Sequence, residues 1–190
     1  MEKIAYLGLD PGKSGFITLM KDGEFTFYSM PTHKVDTGEL TKTNKPKMKT
    51  EFHKLGLRDL CFQIRKDTKG YELKAAIEEV GGRGGWSATN NFNFGKVAGW
   101  QEMIFIMLGI KPLEVRPQKW QSYMRQGYPE IKKPSSTGKT MISDPKAIAK
   151  LIVDTEYPNI DFRKTERSKK DDDNKIDSFL ICLYLYRINN

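Results

Sequence analysis

Histidine and cysteine are scarce: the 190 residues hold two of each. Cys61 and Cys182 cannot build a disulfide framework, and no Cys-x-x-Cys pair is present. His33 and His53 have no partner at zinc-ligand spacing and read as surface side chains. No Ser/His/Asp triad can be assembled. Long hydrophobic runs are missing too, and none nears the roughly 18–20 residues that span a bilayer, so no membrane role is expected. Met1-Glu2-Lys3 leads straight into a strand-like segment without a signal-peptide pattern, so the expected setting is the cytoplasm (that of a host cell if the gene is a phage's). Internal repeats are absent. Gly138-Lys139-Thr140 lacks the earlier glycine of a phosphate-binding loop, Lys133 standing in its place. Gly81-Gly82-Arg83-Gly84-Gly85 does not fit G-x-G-x-x-G either, so no nucleotide cofactor is expected.

What the chain has in excess is positive charge. Lys and Arg number 32 against 24 Asp and Glu, a net charge of +8, and the pI is near 9.3. That serves solubility, and it also suits a polyanionic partner, nucleic acid above all. Apolar residues make up 38% of the chain and glycines number 16, close to the globular norm and enough for a single core over 1–190.

The segment Ile4-Ala5-Tyr6-Leu7-Gly8-Leu9 is a short apolar run ending at Asp10-Pro11-Gly12, the pattern of a strand buried on both faces. Runs over 16–20 and 25–28 flank Asp22-Gly23, a hairpin signal. Residues 31–50 carry Pro31, Gly38, Pro46 and a cluster of lysines with almost no large apolar side chain, and read as a basic loop insertion. Helical spacing runs over 51–66 and over 94–108, with Gly109 as a stop signal. Strands are expected over 73–80 and 113–115, a second polar loop insertion over 125–145, a helix over 145–153, and a buried closing helix over 176–186. Three strands, then alternating helix and strand, then a closing helix predict one mixed α/β sheet with helices on both faces.

Four acidic positions stand out. Asp10 closes the first strand, either as a turn former before Pro11-Gly12 or as a carboxylate aimed from the sheet edge. Glu78 lies within a strand, where glutamate is depleted, and adjacent strand residues face opposite ways, so one of Glu78 and Glu79 points to the functional side. Asp171-Asp172-Asp173 open the last helix, where the dipole favours negative charge. Asp177 lies one turn further in, beyond any capping role, with Asp173 at i−4 on the same face. Gathered at one end of a sheet, Asp10, Glu78, Asp173 and Asp177 cannot all stay ionised unaided. Their hard oxygens suit Mg²⁺ or Mn²⁺. Two such ions about 3.5–4 Å apart catalyse phosphodiester hydrolysis, and the basic surface points to a nucleic-acid backbone as substrate.

Leu7-Gly8-Leu9-Asp10-Pro11-Gly12, Ala76-Ile77-Glu78-Glu79-Val80 and Asp173-Asn174-Lys175-Ile176-Asp177-Ser178 together resemble the RuvC-type Holliday-junction resolvases of the RNase H-like superfamily. Ser87, Asn93-Phe94-Gly95, Gly99-Trp100, Gly109-Ile110 and Val115-Arg116-Pro117-Gln118-Lys119-Trp120 are similar to the bacteriophage branch. The resemblance covers roughly 3–125 and 170–187. It implies an RNase H-like mixed five-stranded sheet and a homodimer that nicks opposing strands of a four-way junction. It also implies two Mg²⁺ ions per active site, with Mn²⁺ able to substitute. Asp10, Glu78 and Asp177 match the family's ligands, with Asp10 bridging the ions. The family's fourth ligand often lies three residues before the last Asp. Asn174 holds that position here, so Asp173 or Asp172 serves instead. Ser178 replaces the usual alanine. Lys119 resembles the family's basic residue that meets charge on the scissile phosphate, while Trp120 is expected in the core.

The DNA-contact candidates are Arg83 and Trp86 in the glycine-rich loop, Lys42, Lys45, Lys47 and Lys49 in the first insertion, and Arg163, Lys164, Arg167, Lys169 and Lys170 before the acidic run. The helix over 94–108 carries more apolar residues than one sheet face needs and is the expected dimer interface. Rival readings are a broader debranching or fork nuclease with the same metal site, and a junction-binding protein that does not cut. An actin-like ATPase shares the first hairpin's pattern, but that fold duplicates its domain, for which 190 residues leave no room.

Overall fold

The computed structural model describes residues 3–79, 85 and 87–190. Five strands form the central sheet in the order β3-β2-β1-β6-β7. These are β1 (Ile4–Leu9), β2 (Phe16–Lys21), β3 (Glu24–Ser29), β6 (Glu72–Glu78) and β7 (Leu113–Val115). β1, β2 and β3 pair antiparallel, whereas β6 runs parallel to both β1 and β7. The Asp22-Gly23 turn makes the expected hairpin, both residues at positive φ, which aspartate tolerates and glycine adopts freely.

Alternation along β1 and β6 divides the core in two. Tyr6 and Ala76 face a cluster with α3 (Pro117–Met124), α4 (Pro145–Glu156) and α5 (Asp173–Ile188). Ala5, Leu7, Leu9, Ala75 and Ile77 face the other cluster, with α1 (Lys54–Asp67) and α2 (Ala88–Leu108). The fold class read from the sequence therefore stands, helices on both faces included. Cys61 and Cys182 are buried, one in each layer. Among the described residues, no helix is long and apolar enough to cross a membrane.

One close contact sets the geometry of the first layer. A Cβ on Gly8 would lie 2.3 Å from both the Cys182 nitrogen and the Ser178 carbonyl oxygen, so only glycine lets α5 settle onto β1. Beside it, the buried hydroxyls of Thr18 and Ser178 are 2.8 Å apart, which satisfies the serine that stands where the resembled family has alanine.

Three stretches differ from the sequence expectation. Residues 31–50 are not a loop: β4 (Thr32–Leu40) and β5 (Pro46–Phe52) form a separate antiparallel hairpin. Its β-branched threonines suit strands, Asn44 supplies a positive φ at the tip, and Lys47 pairs with Glu39 across it at 2.7 Å. A hairpin solvated on both faces has no apolar alternation to betray it. Within 125–145, β8 (Lys132–Pro134) and β9 (Met141–Ser143) form a second small hairpin. Arg116-Pro117, a turn signal in the sequence, instead opens a helix, α3, with Pro117 in its first turn, and α2 begins at Ala88, capped by the Ser87 hydroxyl.

Candidate active site

Asp10 is the first residue after β1, and its N–H donates to the Phe16 carbonyl at 3.1 Å. The turn is tight: a Cβ on Gly15 would meet the Asp10 carbonyl oxygen at 2.2 Å. In the parallel β1–β6 pair Leu9 sits opposite Ile77, so Asp10 and Glu78 take the next positions at the same end of the sheet. Glu78 is half-buried, and its Oε2 accepts the Trp120 indole N–H at 2.9 Å. Trp120 is 1% exposed, so this bond holds the carboxylate from inside the core. The neighbouring Glu79 is exposed and pairs with Arg116 at 3.2 Å, which leaves Glu78 as the residue turned toward Asp10.

The third contribution comes from α5. Asp172 caps the helix, accepting the N–H groups of Asn174 and Lys175 at 3.0 and 3.3 Å. Asp177 follows one turn in, and the Gly8 contact brings it against the end of β1. Burial, then the charge of Asp177, then those of Glu78 and Asp172, push the Asp10 carboxyl up to about 8. Burial, with Glu78 and Asp173, pushes Asp177 up to about 7. Asp173 is an exposed residue of the first turn, ion-paired to Lys146. Asp172 rather than Asp173 is among the carboxylates that raise Asp10, so both remain candidates for the fourth position.

Among the described residues, no three His, Cys, Asp or Glu side chains form a ready-made metal cage. The donor set nevertheless fits a divalent ion. It is all oxygen, and burial together with the neighbouring carboxylates raises two of its acids toward neutrality, a state a cation relieves.

Lys146, at the start of α4 just after the capping Asp144, escaped the sequence reading. The hydrogen bond to Asp173 holds its ammonium above the ordinary lysine range against the opposing effect of burial, and Asp177 and Asp10 contribute through their charges. It lines a cavity of about 270 Å³ with Trp120, Arg125, Lys133 and Asp177. Only the packing of α4 on α5 puts it there, and a single Lys in a helix start carries no signal of that. Lys119 is exposed on α3 and has no ion pair to any of the acidic four among the described residues.

Of the DNA-contact candidates, Arg83 and Trp86 lie outside the described residues. Lys42, Lys45, Lys164, Arg167, Lys169 and Lys170 are exposed and form no ion pair among the described residues, whereas Lys47 is paired to Glu39, Lys49 to Glu51 and Arg163 to Asp161. His33 and His53 are exposed, as expected, but their rings pack edge-on with centroids 5.3 Å apart.

The sheet order, the parallel β1–β6 pair and the closing helix define an RNase H-like α/β fold. Among solved structures, the chain is similar to T. thermophilus RuvC in complex with Holliday junction substrate. That likeness has a TM-score of 0.51 and 8% identity, and covers 97% of this chain and 96% of that one. A Thermus thermophilus RuvC structure aligns at a TM-score of 0.49 with 11% identity, over 98% and 97% of the two chains. No protein-family model matches, and no curated protein matches in sequence. At 8% identity the likeness is one of fold.

Proposed function

We propose that this chain is a divalent-metal-dependent endonuclease selective for branched DNA, resolving four-way junctions by paired symmetric nicks in the manner of a phage-type resolvase. The observation that carries the reading is the gathering of Asp10, Glu78 and Asp177 at one sheet end, where burial first and their mutual charge second raise the Asp10 carboxyl to about 8 and the Asp177 carboxyl to about 7. The net charge of +8 and the RNase H-like fold support it. Asp10, Glu78, Asp177 and one of Asp172 and Asp173 would hold the ions, Mg²⁺ with Mn²⁺ as substitute. Bound there, two divalent ions supply Lewis acidity toward the phosphate and lower the pKa of an attacking water. The chain's own part is positional: Trp120 fixes the Glu78 carboxylate, and Lys146 keeps a positive charge at the rim where a scissile phosphate would approach.

Two opposed cuts need two sites, hence a homodimer. Support comes from α2, where Phe92, Met103, Ile106 and Met107 recur on one side, exposed by 72, 43, 61 and 37%. A second copy would cover that stripe.

Cleavage of a synthetic four-way junction, beside linear duplex and flap, tests the reading. Paired symmetric nicks in Mg²⁺, lost with EDTA and in Asp10→Asn, are expected. Equal cutting of flaps and forks would replace it with a broader debranching nuclease. Tight junction binding without cutting in Mg²⁺ or Mn²⁺ would reduce it to a binding module.

A further inference from the structure

Three lysines far apart in sequence meet beside the acidic site. Lys13 lies in the turn that follows Asp10, Lys34 on β4 near the base of the first hairpin, and Lys164 in the segment before α5. Together with His33 and Thr50 they line a cleft of about 460 Å³. Its other lining residues are Ser14 and Thr32, so no carboxylate lines the cleft, and the Glu51 carboxylate that feels the charge of Lys13 is itself paired with Lys49. Lys34 and Lys164 form no ion pair among the described residues. Lys13 donates to the Thr50 carbonyl at 2.9 Å, which ties the catalytic turn to the hairpin. On β5, Lys47 pairs with Glu39 and Lys49 with Glu51. Unpaired lysines stand at the base of the hairpin as well as at its tip, and the base is the part tied to the turn after Asp10.

From this juxtaposition we infer that the hairpin-base cleft is a binding site for the sugar–phosphate backbone of a duplex DNA arm, with Lys34 and Lys164 as its phosphate contacts. Convergence of three like charges is unfavourable unless an anion joins them. Hydroxyls of Ser14, Thr32 and Thr50 add neutral donors suited to phosphate oxygens. All three lysines, Ser14, Thr32 and His33 are exposed, so the site is an open trough. An open trough follows a polymer, whereas a small anion is held by an enclosed pocket. Because Lys13 is bonded to the hairpin and follows Asp10, an arm seated here is in register with the catalytic turn. The inference rests on the nuclease reading and deepens it.

The test is binding of a long-armed four-way junction in Ca²⁺ without Mg²⁺, titrated across salt concentrations. Lys34→Glu/Lys164→Glu is expected to lower affinity about 10-fold or more and to shrink the slope of log K against log salt by roughly two, about 0.9 for each phosphate no longer neutralised. Lys34→Gln and Lys164→Gln should each remove about one unit of slope. Lys69→Glu/Lys111→Glu, with the same net-charge change at the far end of the sheet, should leave the slope intact. Trimming the junction arms should bring the wild type down to the double variant's affinity. An unchanged slope in a folded double variant, while the wild type binds and cuts, would overturn this site alone. A wild type that binds no junction at all would overturn the nuclease reading and the cleft with it.

Discussion

At the scale of single residues, the site depends on side chains that never need to touch the substrate. The Trp120 indole donates to Glu78 from a core position, so the carboxylate's direction is decided by packing between α3 and β6. A hydrogen bond to a charged acceptor contributes about 1.5–3 kcal/mol, and its removal weakens the hold on the Glu78 carboxylate's direction. Trp120→Phe is therefore expected to lower kcat on junction DNA about 10-fold or more and to raise the Mg²⁺ concentration needed for half-activity, with affinity for DNA unchanged. Steady-state cleavage and junction binding, both measured against Mg²⁺, check this. A fall in DNA affinity alone would assign Trp120 to the DNA surface instead. Asp10, Glu78 and Asp177 were legible in the sequence as a set rather than singly: Asp10 alone also reads as a turn former before Pro11-Gly12, and strand alternation alone leaves Glu78 and Glu79 open. Lys146 and the indole bond were not, because a lysine in a helix start and a tryptophan in a core are both ordinary until the elements are packed.

At the scale of elements, the apolar ones announced themselves and the solvated ones did not. β1, β2, β6 and α5 bury continuous or alternating apolar residues, and their extents lie close to the sequence reading. The β4–β5 hairpin, with its lysines and threonines, carries no such period and was legible only as a change of composition. α2 shows the reverse case, an excess of apolar residues on a helix already packed through Val97, Ile104, Phe105 and Leu108. The excess forms its exposed stripe. Phe92→Glu/Ile106→Glu is expected to convert a dimer to a monomer in sedimentation or light scattering, with far-UV circular dichroism unchanged. Paired nicks should then give way to uncoordinated single nicks. A variant that remains dimeric would move the interface off α2.

At the scale of the whole molecule, the crowded carboxylates couple folding to pH and to divalent ions. Unfolded, both acids ionise near pH 4. Folded and free of metal, they hold their protons up to about 7 for Asp177 and about 8 for Asp10. The folded state thus binds more protons in that window, and stability falls as pH rises from about 4 to about 8. Thermal melts in EDTA should give a lower Tm near pH 8.5 than near pH 5.5, and Asp10→Asn should flatten that difference by removing the group with the highest pKa. Mg²⁺ should raise Tm more at the higher pH, since binding requires the ionised acids. A Tm independent of pH and Mg²⁺ would mean that the acids are not coupled in solution.

The Gly8 contact has a consequence in time as well as in space. It joins the first strand to the last helix, so the acidic site draws on residue 10 at one end of the chain and residues 172–177 at the other. A ribosome-bound chain that has emerged only through β7 already possesses Asp10 and Glu78 yet has no Asp177 to complete them. On the nuclease reading, the site is assembled only once α5 has been made and docks across the sheet. A fragment that stops before α5 is therefore expected to show no metal-dependent cleavage of junction DNA.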